Sequence, residues 1–132
     1  VRPVPSKTTG PAQGVRELVM ERDQYRCVRC GNPVTGDPGV DYSLQHRIPR
    51  GMGGSKDPRL NLPSNLILFC GSGTSGCHGE VESKRAEARD AGYLVWRSQN
   101  PAEVPVTVAL WPGFTVPYLL DDLGGRTEVP DA

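Results

Sequence analysis

Val15, Leu18 and Val19 recur at i, i+3 and i+4, with Arg16, Glu17, Glu21 and Arg22 on the other side. That spacing predicts an amphipathic helix over about 14–25. From Val40 to Ile48 the period drops to two. Val40, Tyr42, Leu44 and Ile48 share one parity, and Asp41, Ser43, Gln45 and Arg47 share the other. A half-buried strand is expected, with His46 on its apolar side. Leu66 to Phe69 reads as a short apolar strand. A Gly/Pro-rich loop, 49–64, connects the two, and 71–76 can only turn. A second helix is predicted over about 79–91, rich in Glu, Lys, Arg and Ala, with Gly92 as its stop. Strand-like runs follow at 104–110 and 115–120, and Asp122 to Gly125 offers a hairpin turn. Residues 1–13 carry three prolines and no periodicity, the pattern of a flexible lead-in.

Composition narrows this picture. The chain has 132 residues, room for one domain. Leu, Ile, Val and Phe make up about 22% of it, just above the roughly 20% floor for a foldable chain. The 16 glycines and 13 prolines stop short of a low-complexity composition. The core must be small, and small cores need a staple. The longest apolar run, Leu66 to Cys70, is far below the roughly 20 residues needed to span a bilayer. Val1 to Gly10 has no apolar stretch of the secretory kind, so a cytoplasmic location is expected, where disulfides are disfavoured.

Formal net charge is zero, yet residues 1–100 hold 14 Lys and Arg against 10 Asp and Glu. The remainder, 101–132, holds Arg126 against Glu103, Asp121, Asp122, Glu128 and Asp131. A basic body with an acidic tail is compatible with a nucleic-acid partner.

The four cysteines are spaced Cys27-x2-Cys30 and Cys70-x6-Cys77. Two thiolates on a C-x-x-C turn make half of a tetrahedral zinc site, and the flexible GSGTSG spacer lets Cys70 and Cys77 supply the other half. Two disulfides, a redox pair or unlinked thiols are the alternatives. Compartment and core size favour zinc. The chain has two histidines, one at the end of the alternating strand and one beside Cys77 at the start of the second helix. His46 facing His78 would suit a second, catalytic metal site. A core histidine and a knuckle-capping histidine would account for the same placement.

Three blocks of sequence go further. Gln45-His46-Arg47-Ile48-Pro49-Arg50-Gly51-Met52-Gly53-Gly54-Ser55, then Asn65-Leu66-Ile67-Leu68-Phe69-Cys70, then Gly76-Cys77-His78-Gly79 resemble the HNH endonucleases. The likeness is greatest to the zinc-knuckle branch of bacteriophages and bacteria. It covers about residues 14–92, with the blocks in order and C-x-x-C upstream. Pro101 to Asp131 looks like the C-terminal extension of phage-type members.

The resemblance implies an α+β fold: a small ββα-metal (His-Me finger) domain over 14–92 stapled by a four-cysteine zinc site, with a β-rich extension over 93–132. It implies that His46 is the general base, that Asn65 ties down the loop orienting it, and that His78 is a metal ligand. Glu82, four residues after His78 on the same helical face, stands where some members have a further ligand. The residue before the base is usually Asp or His, a metal ligand. Here it is Gln45, whose amide brings no charge to a hard cation. Either Glu82 or Asp41 compensates, or the site is weak or inactive. The implied activity is DNA phosphodiester hydrolysis with Mg²⁺ or Mn²⁺ beside structural Zn²⁺. A monomer would nick, since one site cuts one strand.

A near-neutral imidazole can take a proton from water, and a divalent ion can stabilise the leaving oxygen. Arg47, Arg50, Lys56 and Arg59 would form a basic rim for the DNA backbone. Two other functions compete: a zinc-stapled DNA-binding module without catalysis, and a docking module for phage terminase during DNA packaging.

Overall fold

The computed structural model describes residues 10–50 and 57–130. Helix α1 spans Gln13–Arg22, strand β1 Tyr42–His46 and strand β2 Leu66–Cys70. Helices α2, Gly76–Ser83, and α3, Arg85–Asp90, come next. Strands β3, Val106–Trp111, β4, Phe114–Leu120, and β5, Arg126–Glu128, close the chain. The result is a small α+β fold with two antiparallel sheets, β1-β2 and β3-β4-β5.

Strand β2 is the centre of the fold. Leu66, Ile67, Leu68 and Phe69 are each fully buried, because α1 and α2 both contact the strand. That explains its uninterrupted apolar run: a strand covered on both faces has no polar side. Its register with β1 pairs Gln45 with Ile67 and His46 with Leu66.

The periodicity of β1 misleads about its faces. Val40 is 64% exposed, whereas Gln45 is 3% exposed and Arg47 0%. At the C-terminal end of the strand the polar parity is buried, and Ile48 of the other parity is buried just beyond it. Tyr42 and Leu44 on the other parity line an open cleft against α1. Arg47 tolerates burial because carbonyl oxygens replace its water. Nε donates to Gly92 O at 2.8 Å, Nη1 to Ser64 O at 2.9 Å and Pro101 O at 2.8 Å, and Nη2 to Val104 O at 2.7 Å.

Arg22 departs from expectation in the same way. Its side chain, placed on the polar side of the helix by periodicity, is buried. It pairs with Asp23 through Nε at 2.8 Å and Nη2 at 2.9 Å, and donates to Pro63 O and Leu66 O. Asp23 in turn accepts from Leu68 N at 3.0 Å, so the pair fastens α1 to β2. The helix therefore stops at Arg22 rather than at 25, and Gln24 and Tyr25 adopt positive φ of 57° and 55°.

The helix expected over 79–91 begins earlier and is broken. It starts at Gly76, which puts Cys77 and His78 in its first turn, and it breaks at Lys84, φ −124° and ψ 60°. Gly92 ends the second piece at φ +84°.

No gap in packing marks the boundary between 14–92 and 93–132. One core cluster unites Cys27, Ile67, Phe69 and Val81 with Tyr93, Leu94, Val106, Val108 and Leu120. Backbone bonds stitch the same seam: Ala109 N to Val28 O, Thr107 N to Ala91 O and Val95 N to Arg47 O. The C-terminal strands complete the core of the preceding part.

Candidate functional site

The cysteine cluster is assembled from three places in the fold. Cys27 and Cys30 lie on the turn after α1, Cys70 ends β2, and Cys77 sits in the first turn of α2. The turn closes through Gly31 N to Cys27 O at 2.8 Å and Cys27 N to Asn32 O at 2.9 Å. Gly31 has φ +77°, and a Cβ there would come 2.5 Å from the Trp111 carbonyl carbon, so only glycine fits.

All four Sγ atoms lie within 4.8 Å of one another, and those of Cys30 and Cys70 are 4.0 Å apart. A tetrahedral ion with Zn–S bonds of about 2.3 Å holds its sulfurs roughly 3.8 Å apart, whereas a disulfide needs about 2 Å. All four cysteines are free. The donor set therefore fits structural zinc.

The electrostatics agree. Burial pushes the Cys27 thiol far above its ordinary value and the Cys77 thiol up to about 11. Burial raises Cys30 too, but the Asn32 backbone N–H and the neighbouring cysteines outweigh it and leave that thiol low. Four such sulfurs ionise together only around a cation. Arg29 Nη1 donates to Cys77 Sγ at 3.5 Å and the Cys77 N–H donates to Cys70 Sγ at 3.4 Å, both favouring the thiolate form.

His46 ends β1 and is half-buried. Its Nε2 lies 2.9 Å from Asn61 Oδ1, an atom that only accepts, so Nε2 carries the proton and Nδ1 keeps its lone pair. Burial lowers its pKa below 6.5, and the charges of Arg50, Arg16 and His78 push the same way against the Asn61 bond. A neutral imidazole at physiological pH, with its free nitrogen fixed, has the attributes of a proton acceptor.

Asn65 is fully buried and clamps the backbone just after His46. Its Oδ1 accepts from Ile48 N at 2.8 Å, and its Nδ2 donates to Leu60 O at 3.0 Å and Ile48 O at 3.4 Å. It joins the end of β1 to the 3₁₀ turn Pro58–Asn61, which carries Asn61. Asn61, which the sequence reading did not single out, is the residue that touches the imidazole. Nothing in its local sequence distinguishes it within the 49–64 loop.

His78 is fixed by Ser43, also not singled out from the sequence. Ser43 Oγ lies 2.5 Å from His78 Nδ1 and donates its one proton to Gly71 O at 2.8 Å. It must therefore accept from Nδ1–H, which leaves His78 Nε2 with a lone pair for a ligand. Burial lowers the pKa of His78, opposed by the charge of Glu82.

Gln45 shares its strand parity with Ser43 and is 3% exposed. Glu82 Oε2 lies 2.9 Å from Arg85 Nη1, a half-exposed pair on the helix surface. Asp41 is turned elsewhere: its Oδ2 accepts from Asp37 N at 2.7 Å. Among the described residues the cysteines are the one group of three or more His, Cys, Asp or Glu with ligand atoms brought together. Of the residues expected to hold a divalent ion, Glu82 is near enough for its charge to bear on His78, but its carboxylate is engaged by Arg85.

The expected basic rim is partly dismantled. Arg47 is withdrawn into the core, with its guanidinium surrounded by four carbonyls, and cannot reach a phosphate. Arg59 folds back on Asp57 at 3.0 Å and on Arg97 O at 3.3 Å. Arg50 lines the cleft that His46 also lines. Lys56 lies outside the described residues.

Comparison with protein-family models, curated proteins and solved structures found no match to this chain. No helix among the described residues is long and apolar enough to cross a membrane.

Proposed function

We propose that this protein is a metal-dependent HNH endonuclease that hydrolyses DNA phosphodiester bonds, nicking one strand per site. The observation that supports this reading is the pairing of each histidine with one neighbouring side chain, His46 Nε2 with Asn61 Oδ1 and His78 Nδ1 with Ser43 Oγ. Where both rings donate in these bonds, the opposite nitrogens are left as acceptors. Each imidazole presents a lone pair, as a proton acceptor and a metal ligand require.

In this reading the cysteines hold Zn²⁺ as a staple, and the order β1-loop-β2-α2 is a ββα-metal unit. His46 Nδ1 takes the proton of the attacking water. Asn65 and Asn61 keep the ring in place. Gln45, His78 and Glu82 would hold Mg²⁺ or Mn²⁺, which supplies charge neutralisation at the phosphate and at the leaving 3′-oxygen. Arg50 offers a backbone contact. DNA processing in a phage-infected cytoplasm, with terminase as a partner, is the setting that the resemblance suggests.

A second reading, a zinc-stapled DNA-binding or terminase-docking module of low activity, is favoured by one observation. Gln45 brings no charge and Glu82 is paired with Arg85, so the divalent site is poor in anionic oxygen.

Supercoiled plasmid with Mg²⁺ or Mn²⁺ distinguishes the two. The nuclease converts it to nicked circles, and His46→Ala abolishes conversion while retaining zinc. Equal rates for wild type and His46→Ala would remove the assignment.

A further inference from the structure

A cleft of about 630 Å³ separates α1 from β1, a size in the range of ligand sites. Tyr25, Tyr42, Met20 and Leu44 give it aromatic and apolar walls, and Arg16, Arg50 and His46 line it as well. Both guanidinium charges bear on His46, so cationic groups collect at the imidazole.

We propose that this cleft takes an unpaired nucleotide of the DNA strand, its base against Tyr25 and Tyr42 and its phosphate at Arg16 and Arg50. The choice of DNA rests on the nuclease reading above. A duplex presents phosphates and sugars outward and keeps its bases stacked inside. A recess walled by tyrosine, methionine and leucine is filled by a base only when the base has left the stack or was never paired.

Tyr25 is 51% exposed, yet its backbone is held by Tyr25 N to Met20 O at 3.0 Å and Val34 N to Tyr25 O at 2.9 Å. The ring is thus presented from an anchored point of the chain. Arg16, which lines the cleft, engages Pro11 O through Nε at 3.1 Å, a bond that holds its guanidinium in place. Glu17 also lines the cleft, and its carboxylate, 3.3 Å from Gln13 Nε2, suits a base amino group and repels a phosphate. Because His46 borders the recess, a nucleotide seated there adjoins the bond to be cut. The substrate class is therefore single-stranded or flapped DNA in preference to continuous duplex.

The test measures binding and cutting separately. Fluorescence anisotropy of the zinc-loaded protein, without added Mg²⁺ or Mn²⁺, compares a single-stranded oligonucleotide, the same sequence as duplex, and a duplex with a flap. Expected is at least tenfold tighter binding of the single-stranded and flapped forms. Tyr25→Ala should weaken that binding by roughly fivefold or more, the loss of one stacked base, and leave duplex binding within twofold. Arg16→Ala should weaken single-strand binding by a similar factor and lessen its salt dependence. Both side chains are exposed, so zinc content and thermal unfolding serve as fold controls. Equal affinity for single strand and duplex, or silence of both variants, overturns the cleft proposal. Nicking of duplex by wild type in that case leaves the nuclease reading standing. Loss of single-strand binding in the variants, with no DNA cut by wild type in Mg²⁺ or Mn²⁺, sinks the nuclease reading and keeps the cleft.

Discussion

Ser43 Oγ bridges His78 Nδ1, at 2.5 Å, and the Gly71 carbonyl, at 2.8 Å. One hydroxyl proton thereby decides which nitrogen of His78 is available. Ser43→Ala should leave zinc content and fold intact and weaken divalent-ion dependence of nicking about 10- to 100-fold, the usual cost of losing a group that orients a ligand. Ser43→Thr should retain most activity. A Ser43→Ala variant with an unchanged metal titration would show that His78 holds no catalytic ion.

The cysteine cluster predicts a fold dependent on metal. Binding of structural zinc is worth about 10–16 kcal/mol, as much as the whole stability of a typical domain at about 5–15 kcal/mol. Native mass spectrometry should find one zinc per chain. Cys30→Ser and Cys70→Ser should yield unfolded or insoluble protein. A zinc-free chain with an unchanged melting transition would remove the site.

Protonation of the two histidines carries a definite sign. Burial lowers both pKa values below 6.5, so the folded chain favours the neutral rings and the unfolded chain binds more protons. Their contribution is present above pH 6.5 and is lost as pH falls through the lowered values. Nicking should rise with pH to a plateau, with its midpoint below 6.5, and the melting temperature should fall below that pH. A midpoint above 6.5 would mean that His46 is not the base.

Arg47 should behave as a structural residue. Its removal strands the carbonyls of Gly92, Ser64, Pro101 and Val104, at about 1–3 kcal/mol for each one left unsatisfied. Arg47→Ala should unfold the chain or lower its melting point steeply. Arg47→Lys should also destabilise, because an ammonium cannot reproduce the fork. The soluble fraction of Arg47→Lys should keep the wild-type slope of DNA affinity against salt, whereas Arg50→Ala should reduce that slope by about one. A reduced slope in Arg47→Lys would place its guanidinium on the DNA.

Gln45 and Glu82 predict opposite responses to the divalent ion. Gln45→Asp puts a carboxylate where the amide is 3% exposed, so melting should drop without Mg²⁺ or Mn²⁺ and recover with it. Its half-saturating metal concentration for nicking should fall below that of wild type. Glu82→Ala should raise it, and Arg85→Ala, which releases the carboxylate, should lower it. A Gln45→Asp variant that responds to neither metal would show that residue 45 does not face the ion.

Local pattern was enough for α1, β1, β2 and the strands at 104–110 and 115–120, and not for the break at Lys84 or for β5. The period-two run, the buried apolar run of β2 and the cysteine spacing each record a constraint that acts within a few residues. The gathering of Cys27, Cys30, Cys70 and Cys77 was legible because a C-x-x-C turn and a glycine-rich spacer have few other uses.

What only the tertiary structure decided is where the polar groups went. Periodicity assumes that a charged side chain faces water, and it assigned Arg22 and Arg47 to the surface. Both are buried, because carbonyl oxygens from distant turns converge on them, and sequence spacing does not reveal where those turns meet. The same holds for Asn61 and Ser43. Each sets a histidine tautomer across 15 or 35 residues of chain, by a bond whose existence depends on how two elements dock. Gly92 reads locally as a stop, and it is one. That the chain beyond it completes the core of what came before follows from Val106, Val108 and Leu120 packing on Ile67 and Phe69, a long-range contact that no local signal encodes.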